Sequence, residues 1–394
     1  MISKKMELMS KSSSAIREMF EVGAKLKKQF GEENVFDFSL GNPNVQAPKE
    51  VEEAILDVIK NEDPVKIHGY MNNAGFEETR QAVAENLNRR FETNFTAKNI
   101  IMTVGAASGM NIMLKTMLEP GDEVIAFAPF FGEYTSYVRN YDGELVVIPA
   151  NTETFMPNLA VFREKISPKT KAVIINNPNN PTGVIYPESV IKEVVSIMEE
   201  KQKEYGTVIY LISDEPYREL VYDGSDVPYL TKYYDNTLVG YSYSKSLSLP
   251  GERIGYIVVP DESDNADEFI SAVTMANRIS GSVNAPSLMQ LVIARCVDAK
   301  CDVDFYANNG KTLYDGMTEA GFECIKPQGA FYLWVKSPVP DEKKFIEAGK
   351  KYNILMVPGS AFGCPGYVRL SYCVSYRTIV NSIPKFKELA KEYF

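Results

Sequence analysis

The chain has 394 residues, 52 acidic against 42 basic side chains, a formal charge of -10 and a single histidine. That length is too great for one simple core, and 45% apolar residues suffice for a sizeable interior. The acidic balance argues against sequence-independent nucleic-acid binding, which draws on lysine and arginine, and points to small-molecule partners. One histidine, His68, leaves no room for a multi-histidine metal centre or a histidine-based triad. Five cysteines without CxxC spacing imply neither a disulfide framework nor a zinc site, so no metal is expected.

The N-terminal stretch MISKKMELMSKSSSAIREMF lacks an apolar core of signal-peptide length. No segment approaches the roughly 20 apolar residues of a membrane span, so no membrane partner is expected and the cytoplasm is the expected location. Ala15, Ile16, Met19, Phe20, Val22 and Leu26 recur at helical spacing and predict a first amphipathic helix, ended by Gly31. FSLGNPNVQAP follows, where Gly-Asn-Pro and Ala-Pro break regular structure. Helical patterns then run through VEEAILDVIK and ETRQAVAENLNRRF.

From residue 100 onward the pattern changes to short apolar runs separated by amphipathic stretches. NIIMTV, EVIAFA, ELVVIP, KAVIIN, TVIYLIS, TLVGYS and IGYIVV read as strands; SGMNIMLKTML and PESVIKEVVSIMEEKQKEY read as helices between them. Continuous apolar strands alternating with helices predict an α/β fold with a mainly parallel sheet covered on both faces. Past about residue 286 long helices and the strand-like AFYLWVK and YVRLSY predict a smaller α+β region.

Ligands of open α/β sheets sit beyond the carboxyl ends of the strands, and here polar motifs follow the strands. GAASG, Gly105 to Gly109, follows NIIMTV, where bare backbone N–H groups and a helix dipole suit a phosphate; the same small residues also suit tight packing. Neither GxxxxGK[ST] nor GxGxxG occurs at this turn, which disfavours an ATPase or a nicotinamide dehydrogenase. NPNNPTG follows KAVIIN, and Asn180 there offers an amide donor next to Pro181. DEPY follows TVIYLIS, so Asp214 ends an apolar strand; it reads either as a helix N-cap or as a buried carboxylate needing a cation, with Tyr217 within reach. SKSLSLPGER follows TLVGYS, and Lys245, desolvated between apolar segments, tends to become a neutral amine. A phosphate cradle, an amide, a carboxylate, a tyrosine, a lysine and an arginine at one sheet edge form the inventory that holds pyridoxal 5'-phosphate.

NPNNPTG, SDEPY, SKSLSLPGERIGY and YVRLSY together resemble the class I and II aminotransferases, the aspartate aminotransferase-like group of fold-type I pyridoxal phosphate enzymes, over nearly the whole chain. The resemblance implies a transaminase that moves the amino group of an L-amino acid, aspartate or another common one, to a 2-oxo acid by a ping-pong cycle. Lys245 would carry the cofactor as a Schiff base and move the Cα proton; Asp214 would pair with the pyridinium nitrogen, and Asn180 and Tyr217 with the phenolic oxygen. Backbone N–H groups of Ala106 and Ala107, the Ser242 hydroxyl and Arg253 would hold the phosphate, and Phe131 would stack on the ring. Tyr70, in HGYMNNAG, would reach the neighbouring site of a homodimer, and Arg369 would clamp the substrate carboxylate, with Gly41 and Asn180 beside it. The same resemblance implies a large cofactor-binding domain over 45–285 and a small domain from 1–44 and 286–394, closing by a hinge. Ala107 stands where the phosphate loop often carries a polar residue. No second arginine for a distal acid is evident, and Arg278 has no assigned role. A β-lyase cleaving C–S bonds on the same fold is the alternative, since it would use the same Lys245 and Asp214.

Overall fold

A computed structural model describes residues 2–11 and 15–394. Its centre is a seven-stranded sheet made of β1 (Ile100–Thr103), β2 (Glu123–Phe127), β3 (Glu144–Ile148), β4 (Thr170–Asn176), β5 (Tyr210–Asp214), β6 (Thr237–Ser242) and β7 (Gly255–Val258). The spatial order is β1-β7-β6-β5-β4-β2-β3. β2 through β6 pair in parallel wherever they are neighbours, whereas β7 runs antiparallel to both β6 and β1. The reversal follows from the link between β6 and β7. A parallel return needs a long crossover, usually a helix, and this link holds only the four-residue helix Tyr243–Ser246 before the chain turns back.

The unbroken apolar strands are explained by burial on both faces. Along β2, Ile125 and Phe127 join one apolar cluster while Val124 and Ala126 join another; along β4, Val173 and Ile175 part in the same way from Ala172 and Ile174. Each such residue is almost wholly withdrawn from water, and burying an isoleucine or valine stabilises by about 1.5–3 kcal/mol. Helix Glu188–Tyr205 covers one face through Ile191, Val194, Val195 and Met198. Helix Ala106–Met117 covers the other through Met110, Met113 and Leu114. The expected strand TVIYLIS begins only at Tyr210, because the amide of Ile209 donates to the Gln202 side chain (2.6 Å) rather than to the ladder.

The expected first helix is present as Ala15–Phe30, with Gly31 following in a left-handed conformation (φ 86). Met19 of its apolar stripe is buried, while the side chains of Ala15, Ile16 and Phe20 lie outside the described residues. Met19, Phe36 and Phe38 pack into one cluster with Phe331, Leu370 and Phe386 from the far end of the chain. There an antiparallel four-stranded sheet runs Val357–Pro358, Tyr367–Ser371, Tyr332–Lys336, Cys324–Ile325. Phe36–Asp37 pairs in parallel with Ile354–Leu355, tying the N-terminal segment to this region. Helix Ser287–Cys296 packs the other way: Met289, Val292 and Ile293 share a cluster with Val51, Val58 and Leu87 of helices Lys49–Asn61 and Glu77–Phe91. No helix of the described residues is long and apolar enough to cross a membrane.

Candidate active site

Because β4, β5 and β6 run the same way, their last residues share one sheet edge. Asn176 lies opposite Asp214, and Asp214 opposite Gly240. The turn after β1 opens at the same cavity, which measures about 1100 Å³. Ala106, Ala107, Phe131, Asn180, Asp214, Tyr217, Ser242, Lys245, Arg253, Arg369 and Gly41 all line it, so eleven of the twelve expected site residues converge from separate parts of the chain.

Asp214 ends β5 at the cavity floor. No helix starts there, which removes the N-cap reading; the chain continues through a turn at 216–219. Its carboxylate is buried and accepts a hydrogen bond from the Tyr134 hydroxyl. Burial raises its pKa to about 7, against the opposing pull of the Tyr134 bond, and the neighbouring Glu215 adds to the rise. Among the described residues no lysine or arginine pairs with Asp214 in an ion pair. Glu215 is spoken for elsewhere, held by Arg218, whose guanidinium lies 5.1 Å from the ring centroids of both Phe91 and Tyr229.

The amide of Asn176 donates to the Asp214 carbonyl (2.9 Å), and its oxygen accepts from the Asn180 backbone N–H (2.7 Å). Asn176 thus couples the end of β4 to the loop that carries Asn180. The Tyr217 hydroxyl lies 2.7 Å from that of Tyr332.

Lys245 sits in the helical turn after β6, begun by Ser242, whose hydroxyl accepts from the Ser244 amide. Its Nζ donates to the Gly41 carbonyl at 2.7 Å and lies 5.4 Å from the Phe331 ring centroid. Burial lowers its pKa to about 8; the Cys373 thiol opposes this, and Arg369 and Arg253 reinforce it. A substantial neutral fraction near neutrality is what a nucleophilic amine requires.

Arg369, in the strand Tyr367–Ser371, is 2% exposed. One amino group donates to Asn180 Oδ1 (3.1 Å), the other to the Ser39 carbonyl (2.7 Å), and its Nε has no partner. The guanidinium stacks near Tyr332 and Phe362, with ring centroids at 4.5 and 4.8 Å. A buried guanidinium with unused donor capacity on a cavity wall is suited to a carboxylate.

At the opposite wall, Ala106 and Ala107 open the twelve-residue helix Ala106–Met117, leaving their amides free of intrahelical partners. Gly105 precedes them at φ 79, and a Cβ there would come within 2.7 Å of Arg253 Nη2, so only glycine permits the approach. Arg253 is braced by the carbonyls of Pro250 (2.9 Å) and Val104 (3.1 Å), while the Ser242 and Ser244 hydroxyls lie 2.7 Å apart beside it. Helix N-terminus, two hydroxyls and a braced arginine together make an anion cradle.

Tyr70 is not brought to this cavity: it is 91% exposed. Arg278 is likewise exposed, at the end of helix Ala266–Ile279. Sequence reasoning missed Tyr134, Asn176, Ser39, Tyr332 and Ser244. Asn176 carried a signal, being the one polar letter ending an apolar strand; Tyr134 stood three residues past Phe131 without any.

These groups fit pyridoxal 5'-phosphate on the structure's own terms. A buried carboxylate without a cation calls for a protonated ring nitrogen, the depressed amine for an aldehyde, and the cradle for a phosphate. The sequence pattern of the aminotransferase class I and II family matches residues 33–382. An aspartate/prephenate aminotransferase of Thermus thermophilus is 30% identical over 351 residues, 88% of each chain. An aspartate aminotransferase of Pyrococcus horikoshii is 29% identical over 384 residues, 95% of this chain and 94% of its own. Among solved structures, an amino transferase from Eubacterium rectale superposes with a TM-score of 0.97 at 46% identity, covering 100% of this chain and 99% of that one. The Thermus thermophilus aspartate aminotransferase with maleate gives 0.87 at 27% identity, covering 99% of both. These relatives do not favour the lyase alternative. The chain belongs to the aminotransferase class I and II family, and it is a pyridoxal phosphate-dependent transaminase.

Proposed function

We propose that this cavity is the transamination site and that its residues divide the work as follows. Arg253, the Ser242 hydroxyl and the amides of Ala106 and Ala107 would hold the cofactor phosphate; Asp214, steadied by Tyr134, would keep the ring nitrogen protonated. Asn180 and Tyr217 would bond the phenolic oxygen, and Phe131 would stack on the ring. When bound, pyridoxal phosphate supplies an electron sink for negative charge developing at substrate Cα. Lys245 would hold the cofactor through its amine, and the same amine lines the cavity where it would move the proton at substrate Cα.

Arg369 clamps the α-carboxylate of the donor and then of the 2-oxo acid acceptor, with Asn180 orienting the guanidinium and Gly41 closing from the opposite side. A fixed carboxylate limits rotation about Cα, so the bond to be broken stays within reach of Lys245. Because both half-reactions use one clamp, donor and acceptor must occupy it in turn. The observation that carries this reading is the convergence on one cavity of a depressed lysine amine, Lys245, and a buried carboxylate, Asp214, that has no cation partner among the described residues.

A homodimer belongs to the same proposal. Tyr70, exposed and away from its own cavity, would complete the phosphate site of a second copy. We also place the division between two domains after helix Ser287–Cys296 rather than at 286, because that helix packs with residues 49–91. A cytoplasmic setting agrees with five cysteines free of disulfides. The relatives' names speak of aspartate and prephenate. The donor is identified by mixing the cofactor-loaded enzyme with each common amino acid and following the cofactor's absorbance. Conversion by one or more donors, regenerated by a 2-oxo acid, is expected; no conversion by any would refute the assignment.

A further inference from the structure

Tyr332 takes no part in the roles proposed above, yet it touches two residues that do. Its strand, Tyr332–Lys336, pairs with Tyr367–Ser371 so that Trp334 lies opposite Arg369. Side chains two residues apart on a strand share a face, which makes Tyr332 the diagonal neighbour of Arg369. The guanidinium accordingly lies 4.5 Å from the Tyr332 ring centroid. At its far end the Tyr332 hydroxyl lies 2.7 Å from that of Tyr217, which the turn after β5 delivers to the same cavity. Both tyrosines are buried, and neither hydroxyl has another hydrogen-bond partner among the described residues. Gly41 packs against the Tyr332 hydroxyl so closely that a Cβ there would overlap it.

Two hydroxyls that share one bond carry two protons, and one of these lies between them. If Tyr332 donates, the Tyr217 proton is left for an acceptor in the cavity; if Tyr217 donates, that acceptor receives nothing from it. In the reading above Tyr217 bonds the phenolic oxygen, an acceptor, which sets the direction. The cation against its ring also makes Tyr332 the readier donor of the two, because it draws electron density from the phenol. Burial raises the Tyr332 pKa to about 12 against the pull of Arg369, whereas burial and the Tyr332 hydroxyl together hold Tyr217 well above the ordinary phenol range. The other charged and titratable groups acting on the pair are Cys373 on the side of Tyr332 and Asp214 on the side of Tyr217.

We propose that Tyr332 is a positioning residue: it donates to the Tyr217 hydroxyl, turns the Tyr217 proton toward the cofactor's phenolic oxygen and strengthens that bond. The physical reason is cooperativity. Hydrogen bonds in a chain polarise one another inside a protein, each gaining about 10–30%. A stronger donor at the phenolic oxygen favours its ionised form.

The inference rests on the transaminase reading of the cavity and on the place of Tyr217 in it, and its test separates them. When pyridoxal phosphate is joined to Lys245, its visible absorbance changes as the proton shared by the phenolic oxygen and the lysine nitrogen leaves. That absorbance would be titrated against pH for the loaded wild type, Tyr217→Phe, Tyr332→Phe and the double variant. Each change deletes one oxygen and keeps its ring, so the contact of residue 332 with Arg369 is retained. The midpoint is expected to rise by about one to two units in Tyr217→Phe, which loses a whole charge-assisted bond. It should rise by about half a unit in Tyr332→Phe, which loses the cooperative part. The double variant should match Tyr217→Phe, because Tyr332 acts through Tyr217. A midpoint that stays or falls in Tyr332→Phe, or a double variant that shifts by the sum of the two, would overturn the role of Tyr332 alone. An unmoved midpoint in Tyr217→Phe would remove Tyr217 from the phenolic oxygen and Tyr332 with it. Failure of the wild type to take up pyridoxal phosphate would overturn the reading of the cavity itself.

Discussion

Tyr134 donates its hydroxyl hydrogen bond to Asp214 at the floor of the cavity, joining the helix after β2 to the end of β5. The bond favours the charged carboxylate, opposing the burial that would neutralise it. Tyr134→Phe therefore leaves Asp214 easier to protonate and a poorer partner for a cationic ring nitrogen. A charge-assisted hydrogen bond contributes about 1.5–3 kcal/mol, so cofactor affinity should fall by about tenfold to a hundredfold in the variant. Fluorescence titration of the cofactor-free protein with pyridoxal phosphate measures it, and an unchanged dissociation constant would show that the bond is idle.

Asp214 also makes stability depend on pH in a definite direction. Its folded-state pKa is raised from 3.8 to about 7, so the folded protein holds a proton that the unfolded chain has already released. Stability contributed by the neutral carboxyl is present below about pH 4 and is lost as pH rises toward 7. Relative to an Asp214→Asn variant, the cofactor-free wild type should lose melting temperature across that window and then run level. Cofactor loading should abolish the relative loss, because the ring cation lets the carboxylate ionise without penalty. Parallel curves for the two unloaded proteins would contradict the burial argument.

Lys245 titrates in the other sense. With its pKa lowered to about 8, the folded protein sheds the lysine proton before the unfolded chain does, and the cost of a buried ammonium is relieved as pH rises from about 8 toward 10.5. The rate at which unloaded protein captures pyridoxal phosphate should rise about tenfold from pH 7 to pH 9 and then level off. An unperturbed lysine would keep gaining rate above pH 9. Stopped-flow absorbance distinguishes the two profiles.

Arg369→Ala removes a buried guanidinium that spans Asn180 and the Ser39 carbonyl and that, in the proposed reading, clamps the substrate carboxylate. Truncating one partner of a desolvated charged pair costs about 2–5 kcal/mol, so kcat/KM for amino acids should drop at least about thirtyfold. Arg369→Lys should recover only part of the loss, because an ammonium cannot bind a carboxylate through two parallel N–H groups. Steady-state kinetics with the best donor checks both; an unchanged kcat/KM in the alanine variant would remove Arg369 from the clamp.

The sheet and most of the cavity were legible in the chain because apolar runs end where polar groups begin: Asn176, Asp214 and Ser242 each close a strand. The antiparallel course of β7 was not, since IGYIVV has the same apolar character in either direction and only the short preceding link sets its sense. Tyr134 was invisible for a different reason. Its partner lies 80 residues away and nothing local marks the pairing. Ser39 enters through its backbone carbonyl, which any residue would supply, so composition carries no trace of it. Tyr70 and Arg278 are exposed and do not line the cavity, so nothing within this chain gives them a partner there.

The most direct measurement reduces the loaded enzyme with borohydride, digests it and maps the cofactor-bearing peptide by mass spectrometry. The label is expected on Lys245, within the segment that follows β6, and Lys245→Ala should take up no label and sustain no multiple turnovers. A label on any other lysine, or an alanine variant that still cycles near the wild-type rate, would contradict the account.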